Sequence, residues 1–280
     1  MFLFRKREAE QNREKGRGAC SWSAAALSDL GRVRENNEDN YLLGGRINAT
    51  SEDQSVCTWR GDGNWIAGVF DGMGGGEAGE LAALYAARTF LAVAQEIAGA
   101  VPERQIRAAF QQANNAIVAQ REKNRVLGTT ATVALYWDGA CKIFHLGDSR
   151  AYLFRQGELT KLTRDQTLAQ MKLELGLYRS DSPEAEREKH QLTAFLGCDG
   201  SRENLKPLES GWLPLLPGDA LLLCSDGLYD CCTDKEIARV LSGAKMPQDA
   251  AEALISLANR NGGVDNCTVI LLQQNRGEER

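Results

Sequence analysis

Four aspartates stand where an apolar run meets a glycine or an asparagine: Asp71 in VFDGMGGG, Asp148 in HLGDSRAYL, Asp226 in LLLCSDGL and Asp265 in GGVDNCTVIL. Any one of them could be a turn, since Asp beside Gly or Asn favours chain reversal. Four such edges, joined by the pair Glu38-Asp39, instead make a cluster of carboxylates at one end of a sheet. That cluster would repel itself unless cations neutralise it. All-oxygen ligands select magnesium, manganese or calcium rather than zinc. The densest stretch runs over residues 66–87, where Asp71 leaves an apolar strand and Gly72, Gly74, Gly75 and Gly76 surround Met73. Glycine allows backbone geometries that a Cβ forbids, so a carbonyl such as that of Gly72 can approach a hard cation. A hairpin is disfavoured here because residues 77–98 are rich in Ala, Leu and Glu and read as helix. The turn also lacks the Lys-Ser/Thr ending of a phosphate-binding P-loop and a complete dinucleotide fingerprint.

These residues need strands to carry them. Residues 56–70 read as a hairpin turning at Gly61-Asp62-Gly63, and helical periodicity covers 77–98 and 103–125. Strands follow at 131–137, 141–146, 151–155 and 159–162, with turns at Asp138-Gly139 and Gln156-Gly157. Sequential hairpins imply antiparallel sheet. A short helix is expected near 168–175, inside an irregular flap-like segment at about 165–205 whose charged part, 179–190, has no clear periodicity. Residues 220–224 and 267–272 read as strands, and 235–241 and 248–259 as helices. Residues 1–18, polar and charged after Phe4, read as a flexible arm, leaving 19–275 as one domain.

Composition narrows the partners. A net charge of −5 and a pI near 5.3 argue against nucleic acid, which needs a basic face. No membrane span is expected, because the longest weakly polar stretch is broken by Arg88 and Glu96. The eight cysteines lack the paired spacing of a zinc site and read as buried free thiols of a cytoplasmic protein. A monomer is expected. Arg34, in RVRENNEDN, lies within six positions of Glu38 and Asp39. On its own, that segment reads as solvated loop charge.

Taken together, RVRENNEDN, VFDGMGG, GTTA, HLGDSRAYL, LCSDGL and GGVDNCTVIL resemble, in order and spacing, the metal-dependent serine/threonine protein phosphatases of type 2C, particularly their compact bacterial form. The likeness runs from about Ser28 to Leu272. It implies an α+β fold, a central antiparallel β-sandwich with α-helices on each outer face (four layers, αββα). It implies two manganese or magnesium ions, with a third, weaker site. By this resemblance Asp71 bridges the two metals and the Gly72 carbonyl joins one of them. Asp226 and Asp265 complete the first site, Glu38 and Asp39 hold the second largely through water, and Asp148 belongs to the third. Arg34 takes the place of the arginine that binds substrate phosphate through a planar, bidentate fork. The implied reaction is hydrolysis of phosphoserine and phosphothreonine in proteins, the substrates of a cognate kinase. Its nucleophile is a hydroxide bridging metals about 3.5–4 Å apart, with no phosphoenzyme.

Two positions depart from the family pattern. Met73 follows the bridging Asp-Gly where eukaryotic members commonly carry histidine, so the leaving group is expected to take its proton from metal-bound water. Ala194 stands where arginine is common. The two histidines are expected elsewhere, His145 within a sheet and His190 in solvent. A cysteine phosphatase is disfavoured because no cysteine has an arginine six residues on, and two histidines cannot supply a histidine-rich binuclear site. A silent phosphoprotein-binding module would be expected to lack a metal aspartate, and none is missing. A calcium-binding structural domain would have no use for Arg34.

Overall fold

Alternation decides which way each strand faces. Along Ser21–Asp29 the side chains of Ala24 and Ala26 enter one apolar layer, and those of Ala25 and Leu27 enter another. Successive strand side chains point to opposite faces, so a run apolar at every position needs cover on both sides. The computed structural model describes residues 21–50, 53–74, 78–96, 101–120, 127–198 and 205–275. The expected arm at 1–18 lies outside them.

In chain order, β1 (Ser21–Asp29), β2 (Asn40–Leu43), β3 (Arg46–Ile47), β4 (Cys57–Asp62), β5 (Trp65–Phe70) and β6 (Gly72–Met73) lead to helices α1 (Ala78–Gln95) and α2 (Glu103–Ala119). Next come β7 (Gly128–Thr129), β8 (Ala131–Trp137), β9 (Ala140–Leu146), β10 (Arg150–Arg155) and β11 (Glu158–Lys161). Helices α3 (Leu168–Glu174) and α4 (Pro183–Glu188) are followed by β12 (Leu208–Glu209), β13 (Leu213–Pro214) and β14 (Ala220–Cys224). The chain closes with α5 (Asp226–Tyr229), α6 (Asp234–Gly243), α7 (Pro247–Arg260) and β15 (Cys267–Gln274).

One sheet has the order β11-β10-β14-β15-β1-β4, and the other β12-β9-β8-β5-β2-β3 with β13 against β9. Every pairing is antiparallel. Between the sheets lies a layer that includes Ala26, Val69, Leu223 and Ile270. Three aromatics fill it at the end remote from the aspartates: Trp22 of the first sheet meets Trp65 and Tyr136 of the second, with ring centroids 5.2 and 4.8 Å away. Helices α1 and α2 cover the outer face of the second sheet through Phe70, Phe90 and Phe110. Helices α6 and α7 cover the first through Leu222, Ile237 and Leu254. The four layers are therefore helix, sheet, sheet, helix, as expected. Among the described residues no helix is long and apolar enough to cross a membrane.

Two local readings need correction. The expected hairpin at 56–70 is a crossover: β4 pairs with β1 in the first sheet, whereas β5 pairs with β2 and β8 in the second. Strand β4 alternates between half-buried and exposed, as an edge strand does, while β5 is buried throughout and takes a central place. Within 179–190, Ser182 caps a helix by accepting from the Ala185 amide, and Pro183 occupies its first turn. Helix α2 is described to Ala119, and 121–125 of the expected span lie outside the described residues.

Candidate active site

Where β5 ends, Asp71 is fixed by its backbone. Its amide donates to Thr130 Oγ1 at 3.0 Å, and its carbonyl accepts from the Thr130 amide and from Thr129 Oγ1, each at 2.9 Å. Thr130 Oγ1 in turn lies 2.7 Å from Ser149 Oγ. The two threonines of the GTTA motif thus clamp the strand end and leave the Asp71 carboxylate to face a cavity of about 480 Å³. A Cβ on Gly72 would collide with the carbonyl oxygens of Gly79 and Glu38. Only a bare backbone lets the strand end, the first turn of α1 and the Glu38 loop converge.

The other carboxylates reach the same cavity from both sheets. Asp226 opens α5 just after β14, Asp265 precedes β15, and Asp148 follows β9. The Asp148 carbonyl accepts from Tyr229 at 3.2 Å, and the Tyr229 ring carries the Arg150 guanidinium 3.4 Å from its centroid. Arg150 is held by Asp165, with Nη2 2.7 Å from Oδ2. Glu38 also lines the cavity, and Arg34 stands at its edge with Nη2 2.5 Å from Asp265 Oδ2. The Arg34 side chain is 52% exposed, free to turn toward an incoming anion.

Of the candidates, Arg34, Glu38, Asp71, Gly72, Asp148, Asp226 and Asp265 share this cavity. Asp39 does not line it. It is buried, its Oδ2 accepts from Ser225 Oγ at 2.7 Å, and it lies near enough to Asp71, Asp226 and Asp265 to share their mutual repulsion. His190 is exposed, as expected, and its ring also meets two carboxylates: its Nδ1 lies 3.1 Å from Asp226 Oδ2 and its Nε2 3.1 Å from Asp230 Oδ2. His145 is buried in its strand as expected, and burial pushes its pKa down to about 4.

Sequence reading missed His190, Asp230, Asn266 and the Ser225–Asp39 link. Asp230 could have been found, because it lies one helical turn after Asp226 in a segment not read as helix. His190 could not, since only the path of the 165–198 segment brings it back to the aspartates.

The electrostatics suit divalent cations. Burial, then repulsion by Asp226, Asp39, Asp148 and Asp265, holds the Asp71 carboxyl well above the usual range. Burial and Asp226 push Asp148 up to about 8, and burial pushes Asp39 up to about 7. A set of buried oxygens that cannot all ionise together is relieved by a hard cation. Asp71, Asp226 and Asp265 would hold one ion, and the Gly72 carbonyl with Glu38 another. Ligand atoms of Asp148, His190 and Asp226 lie within 4.8 Å of one another and offer a third position.

Because Asp39 and Asp148 are weaker acids in the native than in the unfolded chain, protons stabilise the metal-free fold. That contribution is complete near pH 4 and lost as pH rises through 7–8. Manganese competes with those protons. The rise in Tm on adding manganese should therefore be small at pH 5 and largest at pH 8. Equal rises at both, followed by thermal unfolding, would place the metal elsewhere.

Two antiparallel sheets thus lie between helix pairs, with a carboxylate-lined cavity at one end and an arginine at its mouth. The chain belongs to the protein phosphatase 2C family, whose description matches residues 46–263. The serine/threonine protein phosphatase PstP of Mycobacterium tuberculosis is 33% identical over 250 residues, covering 88% of this chain and 44% of PstP. The chain thus spans less than half the length of that relative. The serine/threonine phosphatase stp of Listeria welshimeri is 32% identical over 260 residues, covering 89% of this chain and 94% of its own. The crystal structure of the PstP catalytic domain with two manganese ions matches with a TM-score of 0.74 at 32% identity, over 91% of this chain and 100% of that one.

Proposed function

We propose that this chain hydrolyses phosphoserine and phosphothreonine in proteins, with manganese or magnesium, by direct attack of water and without a phosphoenzyme. The observation that carries the reading is the Arg34 guanidinium poised at the rim of a cavity floored by carboxylates from both sheets. When bound, two cations supply an activated water and offset charge on the transferring phosphoryl group. Arg34 leaves Asp265 and takes two phosphate oxygens, which sets the phosphorus above Asp71. Met73 has no proton to give, so the leaving oxygen takes its proton from water in the cavity.

The segment at 165–198 is the proposed determinant of substrate choice. Helices α3 and α4 border a second cavity of about 260 Å³ that shares His190 and Asp230 with the first. Cys57, Cys141, Cys224, Cys231, Cys232 and Cys267 are free thiols, which supports a reducing, cytoplasmic setting. The partners proposed are proteins phosphorylated by a cognate kinase, met by a monomer.

The test is phosphate release from a phosphothreonine peptide by the purified chain. Turnover should follow manganese and stop on chelation. A protein that binds manganese and phosphate yet releases none from peptide or aryl phosphate would be a phosphoprotein-binding module instead.

A further inference from the structure

The segment that carries Arg34, from Gly31 to Asn36, forms neither strand nor helix. Something else must hold its guanidinium over the cavity. One buried side chain meets it on both sides: Asn266, 5% exposed, donates from Nδ2 to the Leu30 carbonyl at 2.9 Å and to the Asn36 carbonyl at 3.0 Å. Its Oδ1 accepts from the Glu38 amide at 2.9 Å. Leu30 and Asn36 bracket Arg34 in sequence, so the carboxamide closes the loop that presents it. The Asn266 amide is itself tied to Asp265 Oδ1 at 2.8 Å, the carboxylate whose other oxygen holds Arg34. A carboxamide can supply two donors and an acceptor at once. A carboxylate there would set its oxygens against two carbonyls.

From this geometry we infer that Asn266 is a positioning residue: it fixes the Arg34 loop for phosphate capture. The inference rests on the proposed phosphatase reading for its ligand, a phosphomonoester or inorganic phosphate. It acts through Arg34 and not by touching substrate. A displacement of about 1 Å in such a group weakens capture steeply, on the order of a hundredfold at the extreme.

The test compares wild type with Asn266→Ala and Asn266→Ser at saturating manganese, each alone and combined with Arg34→Ala. Calorimetry with inorganic phosphate gives Kd, and a phosphothreonine peptide gives KM and kcat. With Arg34 present, Asn266→Ala should raise Kd and KM together, about tenfold or more, with kcat changed far less. In the Arg34→Ala background the same substitution should raise neither, since the group it positions is gone. Asn266→Ser, which retains a hydroxyl able to accept from Glu38, should fall between. A lowered Tm with unchanged Kd and KM would make Asn266 merely structural and overturn the inference. So would equal rises in both backgrounds. A wild type that binds phosphate but does not hydrolyse the peptide would remove the proposed function, and the Kd comparison would still decide the role of Asn266.

Discussion

Asp71→Asn should abolish turnover, by at least about a thousandfold, and yet leave the metal-free protein as stable as wild type or more so. The two effects have one cause. The Asp71 carboxyl is held above its usual pKa by burial and by Asp226, Asp39, Asp148 and Asp265, so its negative form is a burden to the empty fold. Asparagine keeps the shape and removes the charge. It also removes one anionic ligand, and a neutral amide oxygen binds a hard cation less well. The backbone should not move, because its amide and carbonyl are held by Thr129 and Thr130 independently of the side chain. Thermal unfolding with chelator, together with peptide hydrolysis in manganese, checks both halves. A variant keeping a tenth of the activity would remove Asp71 from the metal site. One melting well below wild type in chelator would mean that the carboxylate is structural.

For Arg34→Ala the expected loss is about a hundredfold in kcat/KM toward a phosphopeptide, most of it in KM. Arg34→Lys should restore only part of it, since an ammonium cannot present the two parallel donors of a guanidinium. Stability should change little, because an ion pair with a half-exposed partner contributes at most about 1 kcal/mol. Inorganic phosphate should inhibit the alanine variant correspondingly less. Unchanged KM and unchanged phosphate inhibition would place the phosphate-binding cation elsewhere.

The layers were legible because the chain's apolar runs are continuous, as in Ile66–Phe70 or Leu221–Cys224, and a strand covered on both sides must read that way. The aspartates were legible because each one breaks such a run. Pairing was less so: a turn at Gly63 looks alike whether the chain folds back on its own sheet or crosses to the other. Only the contrast between the alternating exposure of β4 and the full burial of β5 separates the cases. His190 and Asp39 show two further limits. One reaches the site by a fold of the chain with no local pattern, and the other is an acid whose sequence neighbours match its role but whose burial faces it toward Ser225.

The aromatic group of Trp22, Trp65 and Tyr136 closes the far end of the inter-sheet layer, while the aspartates of both sheets gather at the near end. Among the described residues no ladder joins one sheet to the other. The sandwich is therefore built like a pair of tongs, riveted by three rings at the back and with mutually repelling charge at its tips. A cation held between Asp71 of one jaw and Asp226 or Asp265 of the other would be a cross-link that draws the jaws together. The same ion would then gauge the opening in which the proposed chemistry takes place.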